Sequence, residues 1–399
     1  MKELFEKQDI LLRTVSMQFV RSYMQSINWD AQMIALRGPR GVGKTTLMLQ
    51  YIKSHYPTYS RKVLFCSLDT MYFANHTLLE LVSTFVKQGG VHIFFDEVHK
   101  YENWSRELKE IYDLYPDLRV VVSASSLLNL LNGDADLSRR CITYEMQGLS
   151  YREFLKLCKG IDLPSVTLES ILQTGGSFCE EVNKVCRPLE FFTDYLRNGY
   201  YPIYLKNKQN YFHILEQIAN FVIDVELTQL CNVEVANTRK IKSLLSVISS
   251  ASPFEVDISK LSTLTGINRA TLIAYLKHLT DAKLICSLYS DVDTIKRLQK
   301  PDKIFLDNSN LMYAFNGTRV NVGTVRETFV VNQLSYNHVV EYKKKQGDFL
   351  VDKKWTFEIG GAGKDFSQIA KVENSFVFAD DIETPYGAKL PIWLLGFLY

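Results

Sequence analysis

An α/β fold with a parallel sheet is predicted by three stretches of this chain. Met33 to Leu49, MIALRGPRGVGKTTLML, passes from an apolar strand through a glycine-rich loop into an apolar-rich helix. Val91 to Glu97, VHIFFDE, is a short apolar strand that ends in two adjacent carboxylates, and Leu118 to Ser123, LRVVVS, is a further strand that ends in hydroxyls. Both follow helical stretches, the alternation from which doubly wound sheets are built.

Residues 1 to about 28 read as an amphipathic leading helix that packs on the domain after it. The loop that follows, Gly38-Pro39-Arg40-Gly41-Val42-Gly43-Lys44-Thr45, then Thr46, fills the G-x-x-x-x-G-K-[ST] pattern at every position. Each residue type has a physical reason. Bare backbone at Gly41 and Gly43 lets successive N–H groups turn inward toward phosphate oxygens, and the dipole of the helix starting near Lys44 adds to the attraction. Lys44 is then placed for the β- and γ-phosphates, and the Thr45 hydroxyl for Mg²⁺. A glycine-rich turn that binds nothing is the competing reading; the strand before the loop and the helix after it weigh against it.

The segment Lys62 to Leu68 is a second strand, ending at Asp69, which either sits near the site or caps the next helix. In the acid pair, Asp96 is assigned to the metal and Glu97 to the base that polarises water. An apolar run ending in Asp-Glu means little alone; some 50 residues after a complete phosphate loop it means much more. Ser123 and Ser125, at the next strand end, are candidates for sensing the γ-phosphate, with helix capping as their alternative role. The stretch Asp136 to Arg140 precedes a final strand, Ile142 to Met146, and offers Arg139 and Arg140 to offset transition-state charge, in cis or from a neighbouring subunit. Surface ion pairing is the plainer alternative for both.

On these motifs, residues 29 to about 160 resemble the AAA-type P-loop ATPase domain of a large prokaryotic family that joins it to a C-terminal winged helix and a nuclease-like fold. The matching marks are Gly38 to Thr46, Asp96-Glu97-Val98-His99, Ser123-Ala124-Ser125 where Thr-Gly-Ser is common, and Arg140 ahead of Leu149-Ser-Tyr-Arg-Glu-Phe154. The resemblance implies a five-stranded parallel sheet in the AAA order, an ATP ligand and an arginine finger near Arg139 or Arg140. Arg139 stands where the family usually has Gly, so the choice between the two arginines stays open.

Residues 151–238 are helical and aromatic. Asn198-Gly199 suits a helix C-cap and Pro202 stops the helix from resuming; the resemblance makes this segment a helical lid beside the nucleotide. Residues 239–310 fit a winged helix-turn-helix: a short helix from Asp257 to Leu264, a turn at Thr265-Gly266-Ile267, a helix capped by Asn268 and running through Leu279, then extended stretches at 283–289 and 303–306. Between residues 257 and 303 eight basic side chains, Lys296 and Arg297 among them, face five acidic ones including Asp291 and Asp293. Opposite the apolar set Leu272, Leu276 and Leu279, the second helix presents Arg269, Ile273, Ala274 and Lys277, a thin surface for phosphate. DNA binding competes there with a protein-protein or intramolecular role. Residues 311–399 are similar to a restriction-endonuclease-like fold, with a helix at 325–334 and strands at 349–352 and 355–359 that bring Asp348 and Glu358 near their ends. Gly360 stands in place of the lysine that such a site uses, and Lys364 is too far along to serve without a loop rearrangement, so an inactive module is expected.

Composition sets the remaining bounds. At 399 residues, with 46% hydrophobic and 23% charged side chains, the chain has the makings of several ordinary globular domains. A net charge of +2 supports nucleic-acid binding through a local patch only. The seven cysteines lack C-x-x-C spacing, which speaks for reduced thiols rather than disulfides or zinc. The N-terminus has no signal-peptide run and no segment reaches the ~18 apolar residues of a membrane helix, so a cytoplasmic location is expected. Together these readings point to an ATPase using ATP and Mg²⁺ and coupled to its C-terminal modules. A slow nucleotide switch whose output is DNA or protein binding is the alternative, and a small-molecule phosphotransferase is a third reading. A homo-oligomer would be required only by a finger acting in trans.

Overall fold

The computed structural model describes residues 1–128, 137–250, 254–290 and 300–399. Asp136, Asp291, Asp293, Lys296 and Arg297, which entered the sequence reading, lie outside the described residues. The chain divides into two compact units, Met1–Gly148 and Leu149–Tyr399.

The first unit opens with α1 (Lys2–Thr14), whose Leu4, Phe5 and Gln8 are buried. The helix stops well short of residue 28 because Val15 turns extended and the carbonyls beyond it are claimed elsewhere. Lys53 Nζ donates to the Val15 carbonyl at 2.8 Å, and the Gln50 amide donates to those of Ser16 and Phe19, both at 2.8 Å. Then come β1 (Met33–Gly38), α2 (Lys44–His55), β2 (Val63–Ser67), α3 (Leu78–Lys87), β3 (His92–Asp96), α4 (Trp104–Leu114), β4 (Arg119–Ser125) and β5 (Ile142–Glu145). The five strands form one parallel sheet in the order β2-β3-β4-β1-β5, which is the order the resemblance implies.

Helices on both faces explain why the strands read as unbroken apolar runs rather than alternating ones. Ile34, Ala35 and Leu36 of β1 and Ile93, Phe94 and Phe95 of β3 are fully buried. The β2 edge is closed by a side chain. The buried Gln8 amide donates to the Val63 carbonyl at 3.3 Å and accepts from the Phe65 N–H at 2.5 Å, taking the place of a neighbouring strand.

The second unit begins with α5 (Tyr151–Lys159), held at its start by a capping box between Ser150 and Glu153. It continues through α6 (Leu168–Val185), α7 (Pro188–Asn198), α8 (Tyr211–Phe221), α9 (Leu227–Leu230) and α10 (Val235–Ser250). The helix α7 does end at Asn198, yet Gly199 adopts a right-handed backbone (φ −91°). Its glycine is required by crowding instead, since a Cβ there would lie 2.8 Å from both the Tyr195 Cα and a ring carbon of Phe154.

A small antiparallel sheet follows, β6 (Phe254–Glu255), β7 (Ile285–Leu288) and β8 (Lys303–Leu306) in the order β6-β8-β7, with α11 (Ile258–Thr265) and α12 (Arg269–Asp281) inserted between its first two strands. Gly266 ends α11 in the left-handed region and the Asn268 side chain accepts from the Thr271 N–H to start α12. As the spacing predicts, Leu272, Leu276 and Leu279 are buried, while Arg269, Ala274 and Lys277 are exposed.

After α13 (Ser309–Asn316) and α14 (Val322–Leu334), a mixed sheet is laid down from β9 (Val340–Tyr342), β10 (Phe349–Val351), β11 (Trp355–Gly360), β12 (Ser375–Ala379) and β13 (Lys389–Pro391), neighbouring in chain order. The pairs β9/β10 and β10/β11 are antiparallel, β11/β12 and β12/β13 parallel. Residues 151–238, read from the sequence as a lid, share this unit's core. Trp393, Leu394, Leu395 and Phe397 are fully buried, and Phe397 meets Tyr151 of α5 edge-on at 5.9 Å. The Tyr399 carbonyl accepts from Ser150 Oγ at 2.7 Å and Arg152 Nε at 3.0 Å.

Candidate active site

The site lies at the carboxyl ends of β1, β3 and β4, where the parallel strands point their last residues toward one edge of the first unit. Gly38 closes β1 directly beneath β5. A Cβ on it would fall 2.2 Å from the Met146 carbonyl oxygen, so only glycine passes. Gly41 and Gly43 take positive φ of 89° and 100°, the left-handed turn that lets the loop curl before α2 begins at Lys44. Within the loop Pro39 and Val42 are buried, and Arg40 and, at the start of α2, Thr46 are exposed.

Lys44 is buried and folds back over the loop, its ammonium donating to the carbonyls of Gly38 at 2.7 Å and Pro39 at 3.1 Å. Thr45 Oγ1 donates to Asp96 Oδ2 at 2.8 Å. Ser123, at the end of β4, donates its hydroxyl to Asp96 Oδ1 and accepts the Glu97 N–H at 3.0 Å. One hydroxyl therefore fixes both acids. Burial pushes the Asp96 carboxyl above the usual carboxylate range and Glu97 adds to the rise, while Ser123, Thr45 and Lys44 pull against it. A carboxylate and a hydroxyl on adjoining elements make an all-oxygen pair, the donor type that suits a hard divalent cation and not a soft metal.

Ser125 is buried and lies in register with Gly38; its hydroxyl accepts the Leu127 N–H at 3.4 Å. Asp69 is exposed just past β2 and its side chain caps nothing, since the following 3₁₀ turn starts from Thr70 without a side-chain hydrogen bond. The two arginines are not brought to this cluster. Arg140 binds Asp113 with Nε at 2.9 Å from Oδ1, at the end of α4. It precedes β5, whose Ile142 is in register with Ile34, and four residues of strand separate Ile34 from Gly38, roughly 13 Å. Arg139 is exposed beside it.

One backbone contact and two side chains were given no role in the sequence reading. The Met146 backbone covers Gly38. The buried Arg21 guanidinium donates to the carbonyls of Gln147 at 2.7 Å, Gly148 at 2.8 Å and Val42 at 3.3 Å, tying the N-terminal segment to the loop. His99 places Nε2 3.2 Å from Glu97 Oε2. A basic residue in an apolar stretch was the sole signal for Arg21, and none existed for a backbone approach such as that of Met146.

In the second unit the structure corrects the expectation for Lys364. Its ammonium reaches Glu358 Oε1 with no rearrangement, and its stem lies over Gly360, where a Cβ would come within 2.6 Å of it. The absence of a side chain at 360 is what admits the lysine. Asp348 Oδ2 accepts the Ile359 N–H at 2.8 Å, and Glu327 pairs with Lys303 at 2.6 Å. Among the described residues no group of three His, Cys, Asp or Glu side chains is arranged to hold a metal ion. All seven cysteines are free, and no described helix is long and apolar enough to cross a membrane.

Residues 30–155 match the family model described as AAA domain, and this part of the chain is an AAA-type P-loop nucleotide-binding domain. Over longer stretches the chain is similar to two proteins of Methanocaldococcus jannaschii. It is 24% identical to uncharacterized protein MJ1637 across 69% of this chain and 61% of that one, and 23% identical to uncharacterized protein MJ1544 across 79% and 70%. The first alignment thus spans less than two thirds of its relative. Among solved structures, a Thermotoga maritima RuvB variant covers 72% of this chain and 89% of its own at 17% identity and a TM-score of 0.27. C. elegans PCH-2 covers 70% and 67% at 16% identity and a TM-score of 0.23.

Proposed function

We propose that the chain binds ATP with Mg²⁺ at this loop and hydrolyses it to ADP and phosphate. The observation that carries the reading is the convergence of the Thr45 and Ser123 hydroxyls on the Asp96 carboxylate, immediately under a complete phosphate loop. Lys44 and the loop amides hold phosphate, Thr45 and Asp96 hold the metal, Ser123 sets the acid pair, and Glu97 takes the proton from the attacking water. Mg²⁺ supplies charge neutralisation of the phosphate oxygens when bound. Arg139 or Arg140 offsets transition-state charge, in cis or on the nucleotide of a second copy, and a homo-oligomer is part of the second version alone.

The output of hydrolysis is assigned to the second unit. There α11, α12 and the β6-β8-β7 sheet serve as a winged helix, and the β9 to β13 sheet as a nuclease-like module in which Lys364 and Lys303 engage Glu358 and Glu327. The exposed Arg269 and Lys277 offer too few charges for tight DNA binding, which favours a protein partner. The alternative, a slow switch read out by DNA, predicts hydrolysis or binding that responds to duplex DNA and weakens with salt.

The test is paired. Lys44→Ala is expected to abolish binding of a fluorescent ATP analogue, whereas Glu97→Gln is expected to bind it with near wild-type affinity and to release phosphate at least about 100-fold more slowly. Wild-type turnover by the Glu97 variant removes that residue from the mechanism.

A further inference from the structure

His99 lies three residues past the end of β3 and has no part in the proposed chemistry, yet its ring stands beside the base. Glu97 breaks out of the strand in the left-handed region, φ 57°, where a side-chain-bearing residue seldom sits. The short turn Val98–Lys100 then doubles back and brings the imidazole under the carboxylate. The Nε2–Oε2 separation is 3.2 Å; the His99 side chain is fully buried and that of Glu97 is 27% exposed. With its N–H on Ser123 Oγ at 3.0 Å, Glu97 is held at the backbone by β4, while its carboxylate faces His99 Nε2 across a close contact that is not a hydrogen bond.

We infer that His99 is a positioning residue for Glu97: its imidazole packs 3.2 Å from one carboxylate oxygen and leaves the other free to accept a proton from water. The inference rests on the hydrolytic reading above. A base on a freely rotating three-torsion side chain spends much of its time out of hydrogen-bond reach of the nucleophile, and orientation by a third group is how such bases are held. The left-handed turn at Glu97 serves the same end, because it points the chain back far enough for a residue two positions on to reach the carboxylate. Nothing in the arrangement needs His99 to touch nucleotide, so its effect belongs in turnover and not in affinity.

Five variants test this in the full chain. His99→Phe keeps the ring volume and removes the polar contact; it is expected to lower kcat for ATP hydrolysis by about 10- to 100-fold, within the span that general-base catalysis supplies, with affinity for a fluorescent ATP analogue unchanged within about twofold. His99→Gln, whose amide nitrogen can take the place of Nε2, is expected to recover most of that loss. The double variant His99→Phe/Glu97→Gln should be no slower than Glu97→Gln alone, since two residues acting through one carboxylate are not additive. A wild-type kcat in His99→Phe, or a double variant slowed by the product of the two single effects, overturns the inference.

A readout independent of turnover separates this from failure of the hydrolytic reading. In nucleotide-free protein with ¹⁵N-labelled histidine, Glu97→Gln is expected to move the ring resonances of His99, whereas the fifth variant, Lys44→Ala, should leave them in place. Ring signals that ignore Glu97 overturn the pairing even where the enzyme turns over. Signals that respond while the wild type releases no phosphate uphold the pairing and sink the hydrolysis.

Discussion

Asp96 carries opposing demands in one side chain. Its carboxyl is buried and pushed above its ordinary value of 3.8, so the folded state holds the proton more tightly than the unfolded chain does. Stability contributed by this group is therefore present below pH 3.8 and is lost as pH rises through the raised folded value. Without nucleotide and Mg²⁺ at neutral pH, Asp96→Asn should relieve that penalty and raise Tm, by about 2–4 °C for each kcal/mol recovered. The gain should shrink as pH is lowered, and phosphate release should be lost at every pH. Thermal melts of both proteins across pH 4 to 8 check the sign; a gain that grows in acid contradicts it. Ser123→Ala acts differently. It strands the Glu97 N–H and one Asp96 oxygen at a buried position, for which a cost of about 1–3 kcal/mol is expected together with slower turnover.

At the scale of elements, the phosphate loop and its acid-bearing strand were legible because their chemistry is local. Gly38 to Thr45 names its own purpose through glycine spacing, and the run from His92 to Phe95 is apolar at every position save the histidine because both faces of the strand are covered. The register of β5 was not legible. Nothing in Ile142 to Glu145 announces that the next carbonyl, that of Met146, will press on Gly38, or that Arg140 will start from the far end of the sheet; parallel pairing between distant segments decides both. The reach of Lys364 was hidden for a similar reason, since its path depends on an empty position at Gly360. The Gln8 bracket on β2 escaped because a glutamine in an amphipathic helix looks like a solvent residue. Gln8→Ala leaves two backbone groups of β2 unpaired, and urea unfolding should register a loss of about 1–3 kcal/mol for each group that stays dry. Gly38→Ala should do more harm, because the strand-to-loop junction and β5 cannot both keep their places.

The molecule as a whole contains two units with separate internal cores, parted at Gly148. Ligand that binds only the folded first unit raises that unit's stability by about 2.7 kcal/mol at a concentration one hundred times its Kd. Calorimetry is therefore expected to show two transitions, one of which climbs when ATP and Mg²⁺ are added to the Glu97→Gln protein. A single transition, or an equal rise in both, would show that the units melt together. The two differ also in how far along the chain their partners lie. Every strand of the first sheet is in hand once Glu145 has been made, whereas α5 must wait for Trp393 to Phe397 and for the carbonyl of Tyr399. During synthesis the nucleotide-binding half can be finished and loaded while Tyr151 and Phe178 still lack the cover of Phe397, which leaves a ribosome-bound intermediate with a competent front and a sticky, half-made back, the stage at which a chaperone would find most to hold.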